Sequence, residues 1–375
     1  MGLTNIRLGD YIERSTINNK ELKYGVDLIV GVNSQGVFAA PKGNTDGVDL
    51  KPYKIVENGA FVYNPTRLEL GSIAYRTEGL CIVSHLYMVF YLTDEGKKII
   101  DPMWLYIYFR RSEFCREVKF RNFGSQRPEF NFNDMSDIVI PLPDIEIQKK
   151  YVDVYNAMLE NQKSYEYGLE DLKFACDAYI EDLKHGIHCK AIGPYVERHD
   201  VRNRTNEIKN VMGVSTSKEF REPTSKVNRN ELSNYKIVRP RQISFVQTTH
   251  NEKVFAYAFN NTEDDIVVTS VNEVFSVDED RLLPEYLCMF FNRTEFDRYA
   301  RFHSWGSARE TFTWDDLVKV EIPIADMKTQ KSIADIYKAY KERKAINEKL
   351  KEQIKDICPI LIKGSIEEAR KAKEA

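Results

Sequence analysis

Cys176, His185, His188 and Cys189 form the densest group of metal-binding side-chain types in the chain. Structural zinc takes four such ligands in regular close pairs. Those pairs are missing, and Cys176 falls on a helical seam, so a buried cysteine and two junction histidines describe the group better and no metal site is expected. Asn64-Pro65-Thr66 begins like the adenine-methyltransferase signature (Asn or Asp, then Pro-Pro and an aromatic) and departs from it at the third position. No Gly-rich cofactor loop of the required form and no GxxxxGK[ST] phosphate loop is present. PDIEIQ, residues 143–148, holds acids without the lysine of a common nuclease core. His85 follows Ser84 with no acid or nucleophile arranged around it. The chain is therefore read as non-enzymatic.

Residues suited to binding are easier to find. Gly124-Ser125 precedes Gln126-Arg127, and Gly306-Ser307 precedes Ala308-Arg309. The glycines permit an exposed turn, and each arginine can bind phosphate or chelate guanine. The alternative is an arginine that braces its loop against Phe130 or Phe312. The formal net charge of -3 does not advertise a nucleic-acid ligand, but the charge is uneven. Arg110 to Arg127 and Lys226 to Arg241 are basic, whereas Glu263 to Glu285 is strongly acidic. Two basic patches on a neutral whole are compatible with DNA and with other partners.

The elements that would carry these loops are duplicated. LGDYIERS at 8–15 answers IGPYVERHD at 192–200, and VGVNSQGVF at 30–38 answers MGVSTSKEF at 212–220. LKPYKIVENGAFVY at 50–63 answers LSNYKIVRPRQISFV at 232–246, and IVSHLYMVF at 82–90 answers VVTSVNEVF at 267–275. FGSQRPEFNFNDMSDIVIPLPDIEIQKK at 123–150 answers WGSARETFTWDDLVKVEIPIADMKTQKS at 305–332. An offset near 182 residues through most of this marks a tandem repeat. Each repeat reads as mixed α/β. KIVENGAFVYN and IVSHLYMVFYL carry the strand signature, and Asp101 to Val118 and Pro284 to Phe302 the helical one.

Each repeat ends in a long helix, for which Asp144 or Asp326 can serve as the cap. In the first helix Tyr151, Tyr155, Met158, Gln162, Tyr165, Leu169, Leu172, Cys176, Tyr179 and Leu183 recur at spacings of three and four. At 1.5 Å per residue about 36 helical residues reach about 54 Å. Ile333, Ile336, Tyr340, Leu350, Ile354, Ile357 and Leu361 form a rougher seam near the C-terminus. The expectation is that the helices pair as an antiparallel coiled coil, with Gln162 and Asn347 helping to fix register. The alternative is that each lies across its own globular neighbour. Tyr167, Phe174 and Ile180 are left on outward faces that suggest waiting partners or self-association of the isolated chain. The expected division is 1–146 and 189–327 for the α/β domains, with 147–188 and 328–375 for the helices and tail. GSIEEARKAKEA at the end reads as a continuation of the second helix or a small contact surface.

The 375 residues suffice for two or three cores. Six scattered cysteines without a CxxC read as reduced thiols. No stretch approaches 18 apolar residues and MGLTNIRLGD is not a signal peptide, so a cytoplasmic location is expected. If the partner is DNA, recognition elements held apart by a rod can read separated half-sites, and a rod of this order matches about 12 to 16 base pairs.

Over essentially its whole length the chain resembles the specificity subunit of type I restriction-modification enzymes. GSQRPEF, PLPDIEIQKKYVDVY and CPILIKGSIEEA carry the likeness, together with the order, duplication and helix phasing. The resemblance implies two target recognition domains, each reading half of a split, asymmetric DNA site, the first domain the 5' half. Spacer-helix length would influence the gap between halves. It also implies two modification subunits that methylate adenine N6 and two restriction subunits that translocate and cut DNA. S-adenosylmethionine, ATP and magnesium would belong to those partners, with no cofactor in this chain. A protein-binding adaptor, or an orphan specificity subunit serving methylation alone, are the alternative readings.

Base-reading residues are expected where the repeats differ. In the first repeat these are Gln35, Lys42, Asn44, Arg67 and Arg76. In the second they are Lys218, Arg221, Lys226, Gln247, His250, Asn251 and Lys253. Arg127, beside Gln126, and Arg309 recur in matching loops, and with Lys119, Arg121, Arg239, Arg241 and Arg301 these arginines suit phosphate contact better. A solvated loop is the plain alternative for each.

Overall fold

β-Branched and aromatic runs become short antiparallel strands, and turn residues cut each run in two. KIVENGAFVYN forms Lys54–Val56 and Phe61–Tyr63, joined through Gly59 at φ 90°, a left-handed angle that glycine adopts without a Cβ clash. The computed structural model describes residues 2–41, 43–122, 129–248, 254–304 and 310–374. The chain divides into two units, Met1–Ser164 with Asn347–Ala375, and Tyr165–Ile346.

In the first unit a four-stranded antiparallel sheet runs in the order Ile12–Arg14, Met88–Leu92, Phe61–Tyr63, Ile73–Tyr75. Three two-stranded pairs accompany it: Gly31–Val32 with Phe38–Ala39, Lys54–Val56 with Cys81–Val83, and Thr4–Arg7 with Val139–Leu142. The second unit repeats this plan. Its sheet runs Val196–His199, Asn272–Val277, Ile243–Val246, Tyr257–Phe259. Its pairs are Gly213–Val214 with Phe220–Arg221, Lys236–Val238 with Ile266–Val268, and Cys189–Ala191 with Glu321–Pro323.

The helical tract of each repeat breaks once. Pro102–Phe109 stops before Ser112–Arg121, and Pro284–Phe291 before Thr294–Phe302. Arg111 and Arg293 hold the breaks in extended backbone, at φ -71°, ψ 147° and φ -71°, ψ 139°.

The long helices, Ile145–Gly186 and Met327–Glu374, pack together, so the helix-paired mixed α/β fold expected from the sequence is the one observed. In the first unit Lys150 meets Glu368 at 2.9 Å and Gln162 meets Asn347 at 2.9 Å, which fixes an antiparallel pairing. Both helices also enter the cores. Tyr155, Ile354, Cys358 and Leu361 join Trp104, Phe109 and Phe130. Cys176, Ile180, Ile333 and Tyr337 join Tyr257, Tyr286 and Phe312 in the second unit. Burying one such aromatic or aliphatic side chain contributes about 1.5–3 kcal/mol. Tyr151, Met158, Leu183, Ile336 and Ile357 pack at the edges of these cores, while Tyr165, Leu169, Leu172, Tyr340 and Leu350 are half-buried. The outward placement of Ile180 is corrected: it is fully buried, whereas Tyr179 is 38% exposed. Tyr167 and Phe174 do face outward.

Asp326 caps the second long helix, accepting from Thr329 N at 3.0 Å and Thr329 Oγ1 at 2.9 Å. Those bonds hold its carboxyl below the usual carboxylate range. One turn into each long helix sits a buried glutamine. Gln148 donates to Ile99 O and Pro143 O and accepts from Asp101 N. Gln330 donates to Arg281 O and Ala325 O and accepts from Leu283 N. The same three bonds tie helix to lobe in both units. GSIEEARKAKEA continues the second helix as far as Glu374.

Candidate nucleic-acid interface

Polar residues of the hairpins and connecting loops make up the candidate surface. In the first unit Gln35 lies exposed in the turn of the Gly31–Ala39 hairpin, its backbone N–H donating to Asn33 Oδ1 at 2.9 Å. The Arg76 guanidinium stacks on Phe38 of that hairpin, 5.3 Å from the ring centre. Arg76 and Gln35 are thereby brought to one hairpin. Asn44 is exposed and accepts from Asp46 N at 3.0 Å, a self-contained turn. Arg67 is exposed just before the single turn Leu68–Leu70.

The second unit places its counterpart hairpin differently. Lys218, at φ 62°, occupies the place of Gly36, at φ 76°. A Cβ on Gly36 would collide with the Arg110 guanidinium, which donates to Gly71 O at 2.5 Å and Ser34 O at 3.4 Å. The second repeat has Asn292 where the first has Arg110, and there the Lys218 side chain fills the space itself. Its ammonium donates to Phe291 O at 2.8 Å and Asp297 Oδ2 at 3.0 Å and is only 8% exposed. Burial pushes its pKa down, opposed by Asp297. Lys218 thus braces the unit from inside.

Two more candidates are tied to carboxylates. Gln247 donates to Glu273, a buried acid that Arg198 also grips with two 2.8 Å bonds and that lies 3.6 Å from Lys236. Arg241, at φ 69°, is paired with Glu279 and Glu285, which raise its pKa further. Arg121 pairs with Glu117 at 2.8 Å within its own helix.

Exposed cations remain. Among the described residues Arg67, Lys119, Arg221, Lys226, Arg239 and Arg301 have exposed side chains with no carboxylate partner. Lys119 and Arg301 stand at the ends of the matching helices Ser112–Arg121 and Thr294–Phe302. Exposed, unneutralised cations of this kind are suited to phosphate contact. Lys42, Gln126, Arg127, His250, Asn251, Lys253 and Arg309 lie outside the described residues.

The sequence reading missed the ion cluster of the second unit. Arg293, 5% exposed, donates from Nε to Asp177 at 3.1 Å and from Nη2 to Glu181 and Glu295. Hydrogen bonds from Arg293 and then Lys184 hold the Glu181 carboxyl down at about 2. The cluster's acids Asp177 and Glu181 stand 116 and 112 positions before Arg293, so no local pattern in the sequence signalled it. No group of three or more metal-ligating side chains is set to hold an ion among the described residues, and none of their helices is long and apolar enough to cross a membrane.

The family model described as the type I restriction modification DNA specificity domain matches residues 4–164 and 203–356. Among solved structures the chain is similar to the S subunit of a type I restriction-modification system from M. genitalium, with TM-score 0.57 and 11% identity over 97% of this chain and 96% of that one. It is also similar to the HsdS subunit from Thermoanaerobacter tengcongensis, with TM-score 0.39 and 15% identity over 97% and 96%. A chain solved in work on assembly of the type I R-M system gives TM-score 0.47 and 15% identity over 97% of both. A search of curated proteins gave no match.

Proposed function

The chain belongs to the type I restriction-modification DNA specificity family, whose members recognise DNA without catalysing its modification, and on that premise we propose that it reads a bipartite, asymmetric duplex target. Residues 1–146 and 189–327 act as the two recognition domains, and 147–188 and 328–375 carry two adenine-N6 methyltransferase subunits, to which two restriction subunits are added in the cutting complex. S-adenosylmethionine, ATP and magnesium belong to those partners.

One observation carries the reading. The same sheet order occurs twice in one chain, yet the exposed candidate cations of the loops differ between copies, with Arg67 in the first and Arg221, Lys226 and Arg239 in the second. A repeated scaffold with different polar loops suits two unlike half-sites. Binding of the complex with its modification subunit to a randomised duplex pool tests this. Selection should enrich one split motif, while a protein-binding adaptor would show no sequence preference.

A further inference from the structure

The two repeats treat one arginine in opposite ways. Arg293 lies over Phe290, 5.8 Å from the ring centre, and its guanidinium is closed off by Asp177 and Glu181 of the first long helix. Arg111 is its counterpart, 182 positions earlier. It stacks on Tyr108 at 3.7 Å and donates from Nε to Tyr108 O at 3.0 Å. Cys176 and Ile180 correspond to Cys358 and Ile362, and all four are buried in their cores, so the long helices can be compared turn for turn. The positions matching Asp177 and Glu181 are Pro359 and Lys363. Both acids are gone. Among the described residues Arg111 has no carboxylate partner.

A groove of about 390 Å³ opens where the second unit has its ion cluster. Pro359 and Ile366 line it, Ile360 beside them is 64% exposed, and Arg111, Lys363 and Arg370 stand around it. Glu113 and Glu367 share the lining but are engaged, Glu113 with Arg116 at 3.4 Å and Glu367 with Lys363 at 3.8 Å.

We propose that this groove docks a segment of a partner protein presenting an acidic side chain beside an apolar one, with the carboxylate on Arg111 where the second unit uses its own Asp177 and Glu181. The apolar lining favours such a peptide over a DNA phosphate, which would gain nothing from burying Ile360. The proposal rests on the reading above, which makes a modification subunit the partner.

The test uses the full chain co-purified with its modification subunit. Lys363→Glu, and Pro359→Asp with Lys363→Glu, give the first unit the acids of the second. Both should melt no lower than the native chain yet bind the modification subunit about tenfold more weakly. Arg111→Glu should weaken binding similarly, and Arg111→Lys less. Unchanged assembly in folded variants overturns the proposal alone. Native chain that does not assemble at all overturns the functional reading with it. Loss of DNA affinity with assembly intact makes the groove a phosphate site. A dimer of the isolated native chain that Lys363→Glu dissolves makes it a self-contact. Either of these results overturns the proposal.

Discussion

Gln162 donates an amide hydrogen bond to Asn347 Oδ1 at 2.9 Å, and both side chains are buried between the long helices of the first unit. A buried amide pair costs little while intact and a good deal when halved, because the orphaned partner keeps its desolvation penalty. It also penalises any register that separates the two residues.

Either Gln162→Leu or Asn347→Leu should therefore destabilise the chain by about 1–3 kcal/mol. The double leucine variant should recover most of that loss. Urea unfolding of the three variants reads the effect, and a double-variant loss equal to the sum of the two single losses would show that the pair is not coupled.

Gln148 and Gln330 each tie a long helix to its own lobe through three hydrogen bonds. Alanine at either position removes the side-chain partner of three backbone groups. Each substitution should cost about 2–4 kcal/mol, visible as a lower urea midpoint, whereas alanine at exposed Gln35 should leave the midpoint in place.

Acid stability should depend on Arg293. The Glu181 carboxyl sits at about 2 in the folded chain against an ordinary 4.5. A depressed folded pKa stabilises fully above the ordinary value and is lost as pH falls through the folded one. Stability should thus decline as pH drops from about 4.5 towards 2, and Arg293→Gln should flatten that part of the profile. A native-like acid limb in folded Arg293→Gln would contradict the assignment.

Lys119, Lys226 and Arg239 are exposed cations without carboxylate partners among the described residues. If they meet phosphates, alanine at each should weaken DNA binding almost equally for all sequences and lower the slope of log K against log salt by about 1. Titrations at several salt concentrations measure this. An unchanged slope places that residue off the DNA.

Much of the architecture was legible because it is written twice. The matching strand runs and the paired IPLPDIEIQ and IPIADMKTQ stretches set out two equivalent units. The helix faces were legible only in part. A seam of strict seven-residue period drifts about 20° per heptad on a straight helix. Tyr179 lies four heptads beyond Tyr151, a drift of about 80°, so the next residue, Ile180, turns into the core in its place. The break between paired short helices was hidden because Arg111 and Arg293 are not capping residue types and no side-chain cap forms there. The burial of Lys218 follows from an exchange across space, Arg110 in one repeat against Asn292 in the other, and no local pattern records it.

The central claim is that this chain chooses a split DNA target. Long-read mapping of N6-methyladenine, after co-expression with the neighbouring modification subunit, tests it most directly. One bipartite, asymmetric motif should appear, and Arg221→Ala in the second unit should alter recognition of one half only. Methylation that is identical with and without this chain, in a verified complex, would contradict the account.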